Sequence, residues 1–193
     1  MGDEMMREQN FNNHKEVNVL KGLAAGMVAG LVAGWTMNQF QKVWTRVAEG
    51  FEKPHGAQSM QPSEDENTAR SDQPQEDDAT VEVAEIISEN VFGRELKESE
   101  KKEAGAAVHY SFSVAMGGFY GVAAELAPAV TAKAGLPFGA AFWFVADEVA
   151  VPLLGLSKGP SEIPISTHVY ALSAHLVYGL TAESTRRAIR RLT

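Results

Sequence analysis

The 193-residue sequence has no cysteine. That excludes disulfides, thiolate metal ligands and cysteine nucleophiles, and leaves the redox compartment open. Basic charge is scarce as well: 17 Lys and Arg stand against 25 Asp and Glu, for a net charge of -8. No basic stripe exists to neutralise phosphates, so nucleic acid is not an expected partner. Chemical signatures are also missing. There is no Walker loop, dinucleotide fingerprint, GxSxG or kinase motif, and no HxxxH or HExxH spacing for a metal. The sequence therefore points to no enzyme, no cofactor and no metal. Aromatic residues make up only 8%.

What is present is unevenly distributed. Glu52 to Ala79 holds eight acids against Lys53 and Arg70, so most of the net charge sits in one short stretch. His55 to Asp78 is polar, acidic and nearly devoid of large apolar residues. It cannot bury enough surface to offset its ordering entropy and reads as a disordered loop.

Outside that loop the chain carries four long runs almost free of charge. They are Gly22 to Gln41, Ala104 to Ala124, Ala134 to Leu156 (interrupted by Asp147-Glu148) and Ile163 to Ala182. A bilayer core needs about 20 apolar residues in helical form. A soluble bundle would need polar positions every third or fourth residue on each helix, and these runs lack them. The expected fold is all-α: a multi-pass membrane protein with four transmembrane helices and the acidic loop between the first and second. The expected organisation is an N-terminal tail (1–18), a first transmembrane helix with its extension (19–50) and the acidic loop (51–79). A surface amphipathic helix with a charged lead-in (80–103) and a three-helix membrane region with a basic end (104–193) follow. In the amphipathic helix, Val81, Ala84, Ile87 and Val91 form the apolar row opposite Glu82, Glu85 and Glu89.

Positive charge is evenly split between the two sides, but the densest cluster, Arg186 to Arg191, lies close to a span. It favours a cytoplasmic location for both termini.

The helix faces hold the candidate residues. Gly22, Gly26, Gly30 and Gly34 recur at i+4 in the first run, a row of small residues that lets another backbone approach. The partner could be another span, a second copy of the chain or another membrane protein. In the second run His109, Ser113, Gly117, Gly121 and Glu125 share one face. The third puts Gly135, Gly139, Trp143 and Asp147 on a row with Glu148 about 100° away. The fourth aligns His168, His175, Gly179 and Glu183. Ionisable groups at membrane depth normally face the bundle interior and pair there. At about 1.5 Å per residue, Asp147 and His175 fall near mid-membrane. His109 and His168 lie toward the acidic loop, and Glu125 and Glu183 at the opposite interface. These seven residues form a candidate polar track with a central Asp147–His175 pair. Each histidine could equally be packing glue, and Glu125 and Glu183 could pair with Lys133 or Arg186 at the interface.

HYSFSVAMGGFYGVAAELAP (His109 to Pro128) and AHLVYGLTAESTRR (Ala174 to Arg187), joined by PLLGL (Pro152 to Leu156), resemble the YagU-like family of bacterial inner-membrane proteins. The resemblance rests on His109, Ser113, Tyr120, Ala124-Glu125 with Pro128, His175 with Glu183, and Arg186-Arg187. It implies a bacterial inner-membrane location with both termini inside, and supplies no reaction. The acidic loop and Asp147-Glu148 depart from the family pattern. Two functions are expected from this reading. One is a structural or accessory membrane subunit without enzymatic activity. The other is proton- or ion-linked transport along the polar track.

Overall fold

A computed structural model describes residues 18–48 and 79–193. The expected tail and acidic loop, apart from Asn18 and Ala79, lie outside the described residues. The described residues are mostly helical, with no strand among them. The helices are α1 (Val19–Ala48), α2 (Ala79–Phe92), α3 (Glu98–Leu126), α4 (Leu136–Trp143), a π-helical segment (Phe144–Ala150) leading into α5 (Val151–Leu153), and α6 (Ile165–Leu192).

Their ends follow local chemistry. Pro128 lacks an N–H and follows the last residues of α3, and Pro137 occupies the first turn of α4, where its missing donor costs nothing. Between them the chain turns sharply through Lys133, Ala134 and Gly135, all in the left-handed region. Pro152 withholds a donor and crowds the turn before it, and that turn is the π-helical one.

The long helices α1, α3, α4 and α6 form one bundle. α1 lies against α3 along its length and also against α6, while α4 lies against α6. α1 and α6 are antiparallel: Lys21 meets Thr193 at one end and Trp44 meets Tyr170 at the other. The four-glycine row of α1 packs on α3 of the same chain. Methyl groups built on Gly26, Gly30 and Gly34 would meet Gly117, Gly121 and Ser113 at contact or closer. The groove is therefore filled from within the chain rather than left for another protein. A second small-residue seam joins α4 to α6, where Gly139 meets the His175 carbonyl and Gly179 meets Gly135 and Gly139.

The bundle buries small, aromatic and polar side chains and exposes many large apolar ones. Tyr120, Tyr178, His109, His175, Gln41 and Glu183 are its largest fully buried side chains. Leu20, Leu31, Trp35, Phe119, Phe144, Leu153 and Leu180 are exposed. Two stretches, Val19–Trp44 and Pro128–Leu153, are long and apolar enough to cross a bilayer. α3 and α6, of 29 and 28 residues, are long enough, but Gly, Ser, Thr, His and charged ends dilute their apolar content.

The second helix buries only part of the expected apolar row. α2 folds back on the start of α3 and buries Ala79, Thr80, Ala84 and Ser88, with Val81 half-buried. Val81 and Thr80 lie against Gly105 of α3, while Ile87 and Val91 are exposed. Lys101 of α3, held between Glu85 and Glu98 at 2.9 and 2.7 Å, ties the pair together. Those two carboxylates push the Lys101 ammonium up from its ordinary value.

Candidate functional site

The seven candidate residues fall into three groups rather than one continuous track. At the end of the bundle where α3 and α6 finish, Glu125 and Glu183 are bound by arginines. Glu183 is fully buried and accepts from Tyr120 Oη at 2.9 Å, Arg186 Nε at 2.8 Å and Arg186 Nη2 at 3.0 Å. Arg187 Nε adds a further close hydrogen bond, and Arg187 Nη2 donates to the Thr131 carbonyl. Glu125 takes a two-pronged contact from Arg190, at 2.7 and 3.1 Å, and a longer one from the Asn18 N–H. The expectation named Arg186 and Lys133. Arg186 does pair with Glu183, but Arg190 takes Glu125, because it lies one turn beyond Arg186 on the face toward α3. Both carboxylates lie just past the charge-free runs. Arg190 holds Glu125 well below the usual carboxylate range. Burial pushes Glu183 up, and the hydrogen bonds from Arg186, Arg187 and Tyr120 outweigh it, so Glu183 also titrates low.

In mid-bundle lies an aromatic layer. The Tyr120 and Phe138 rings are 4.3 Å apart, and Phe142 meets Tyr178 edge-on at 5.2 Å. Tyr178 Oη donates to the Ser113 carbonyl at 2.6 Å, locking α6 to α3. This layer separates the arginine–glutamate end from the remaining candidates.

Next to it lies His175, 2% exposed, with its ring edge-on to Phe142. The expected central pair is looser than a hydrogen bond. His175 Nδ1 donates to the Ala171 carbonyl at 2.9 Å and lies 3.6 Å from Asp147 Oδ2. The carbonyl one turn back on its own helix wins the proton, because it is available without moving another helix. His109 is buried on α3, its ring beside Tyr110 and hydrogen-bonded to the Gly34 backbone.

The third group sits at the end nearest the acidic loop. Glu148 and His168 Nδ1 are 2.6 Å apart, and His168 Nε2 faces the Pro160 carbonyl at 3.0 Å. Acceptors at both nitrogens are satisfied only when both carry a proton. The π-helical turn makes this possible: consecutive residues Asp147 and Glu148 both reach α6, two turns apart at His175 and His168. Among the described residues no three of His, Cys, Asp and Glu gather as a metal-ligand set.

Spacing in the sequence did not single out Arg190, Tyr178, Asn38, Gln41 or Thr167 as interior polar groups. Asn38 had a visible signal, since it continues the Gly22–Gly34 row by one more i+4 step. Arg190 is seven residues beyond Glu183 and so on its face.

A family model described as "Protein of unknown function (DUF1440)" matches residues 71–184. The chain belongs to this family. The DUF1440 match takes in α2 to α5 and most of α6, and with them all seven candidate residues. No curated protein and no solved structure matches the chain.

Proposed function

We propose that this DUF1440 protein crosses the bacterial inner membrane four times, with the charge-free runs of α1, α3, α4–α5 and α6 as its spans, Glu125 and Glu183 just outside them, and both termini in the cytoplasm. In that membrane it serves as a structural or accessory subunit of the YagU-like type, not as an enzyme. The observation that carries this reading is the reversed distribution of side chains. Large apolar groups are exposed on the outside of each long helix, while the interior is small, aromatic and polar. In water such an exterior would be an aggregation hazard; in lipid it is the solvated surface. The aromatic layer and the saturated arginine–glutamate cluster fill the described interior at that end with paired and packed side chains, which suits a packing role. With the α1 groove filled by α3, any second copy or other membrane protein would dock on the apolar exterior.

The test is purification from membranes in mild detergent, followed by native mass measurement. The subunit reading expects a stable complex, with itself or another membrane protein; a strictly monomeric chain argues against it. A cytoplasm-active reporter should work after Thr193 and fail when inserted near Ser71.

One observation favours transport as the second reading. Asp147 lies inside the α4–α6 interface without a hydrogen-bond donor among the described residues, beside His175. That reading expects a pH-dependent flux in reconstituted vesicles that Asp147→Asn abolishes.

A further inference from the structure

We infer that ordered water bridges Asn38 of α1 and His175 of α6 inside the bundle, and that this water ends at the aromatic layer of Tyr120, Phe138, Phe142 and Tyr178. The inference rests on the membrane-embedded reading for what surrounds the bundle, and on unpaired polar atoms for the site itself.

His175 donates through Nδ1 to Ala171, so its Nε2 is left as a bare acceptor. That atom is buried and has no hydrogen-bond partner among the described residues. Asn38, 5% exposed, donates through Nδ2 to Tyr110 Oη at 3.2 Å, and its Oδ1 is likewise buried and unpaired. The register that joins Trp44 to Tyr170 and Lys21 to Thr193 puts Asn38 at the depth of His175.

Two acceptors at one depth cannot satisfy each other. No hydrogen bond joins the Asn38 side chain to His175. Two unpaired donors, Trp143 Nε1 and Thr167 Oγ1, are also buried on this side of the aromatic layer, nearer the acidic-loop end. Orphaned polar atoms on three helices, all on the same side, are the pattern that internal water resolves. Water offers two donors and two acceptors, so one molecule can donate to Asn38 and His175 together and others can receive from Trp143 and Thr167. Beyond the layer every prominent polar group is already paired: Tyr178 to Ser113, Tyr120 to Glu183, Glu183 to its arginines. The hydrated region is therefore blind, open in chemistry toward the acidic loop and closed toward the termini.

The experiment is water-edited solid-state NMR of the isotopically labelled full chain in phospholipid vesicles. Magnetisation from water should reach the His175 ring and the Asn38 amide several-fold faster than the Tyr120 and Tyr178 rings, which are as deeply buried. Asn38→Leu should slow transfer to His175 and leave Tyr178 unchanged. Transfer to His175 in the unsubstituted chain no faster than to Tyr178 would overturn the inference, whatever the variant does. Failure of the membrane reading has a separate signature: rapid water transfer to Phe119 and Leu153 on the exterior.

Discussion

A methyl group built on Gly26 would collide with the carbonyl oxygen of Gly117, and one built on Gly117 would collide with that of Gly26. The two backbones touch with nothing between them. Such approach concentrates dispersion contacts between the two helices. It also fixes register, because the neighbouring steps of the row meet Gly121, Ser113 and His109 in turn. The buried His109 is held through this seam, since its partner is the Gly34 backbone.

Gly26→Ala and Gly117→Ala should therefore be severe. The atoms in the way are backbone, which cannot give without separating α1 from α3, and overpacking costs typically about 1–3 kcal/mol or more. Gly118→Ala is the control: its methyl would meet only the flexible ends of Met27 and Leu23, at 3.0 and 3.1 Å. Leu31→Ile, on the exposed side of α1, should be near neutral. Thermal unfolding in detergent checks the ranking, and equal tolerance at Gly26 and Gly118 would show that the helices do not meet there.

The helices and their small-residue faces were legible in the sequence because spacing alone fixes which residues share a face. Which face meets which helix was not. The glycine row of α1 pairs with the His109–Ser113–Gly117–Gly121 row of α3 through complementary depth, and periodicity on one strand of sequence carries no depth of its partner. In α2 the apolar row is only partly the buried face: Ala84 is buried and Val81 lies against Gly105 of α3, while Ile87 and Val91 are exposed.

The arginine–glutamate end should confer acid lability. Glu125 and Glu183 both titrate below the ordinary glutamate value of 4.5, so their contribution is fully present above that value. It is lost as pH falls through their lower folded values. The melting temperature should be flat from neutral to mildly acidic pH and then drop. Glu183→Gln leaves Arg186 and Arg187 facing a neutral partner, and breaking a buried pair costs about 3–5 kcal/mol. Glu125→Gln, with fewer arginine contacts, should cost less. A variant without either carboxylate that kept the same acid transition would place its origin elsewhere.

The candidate site was legible as a set of residues and not as a set of pairs. His168, His175, Asp147 and Glu148 were all singled out, but an ideal α-helix puts Asp147 and Glu148 on different faces. Pro152 and the π-helical turn before it bring both toward α6, and such a turn leaves no clear trace in hydrophobic spacing. Nor does sequence show that a histidine will spend its Nδ1 proton on the carbonyl one turn back.

Coupling energies should follow those geometries. Glu148 and His168 are 2.6 Å apart with both side chains largely buried, and the ring is a donor at both nitrogens. Removing either partner leaves the other poorly paired, so Glu148→Gln and His168→Gln should each destabilise and the double variant should fall short of their sum. A coupling of about 1 kcal/mol or more is expected for such a charge-assisted bond. Asp147 and His175 approach only to 3.6 Å, and Nδ1 is already engaged by Ala171. The cycle built from Asp147→Asn and His175→Gln should therefore be closer to additive, with each single change acting through its own surroundings. Denaturation of all six variants in one detergent measures both cycles. Strong coupling at Asp147–His175 with none at Glu148–His168 would reverse the assignment and return the central pair to the chemistry of the bundle.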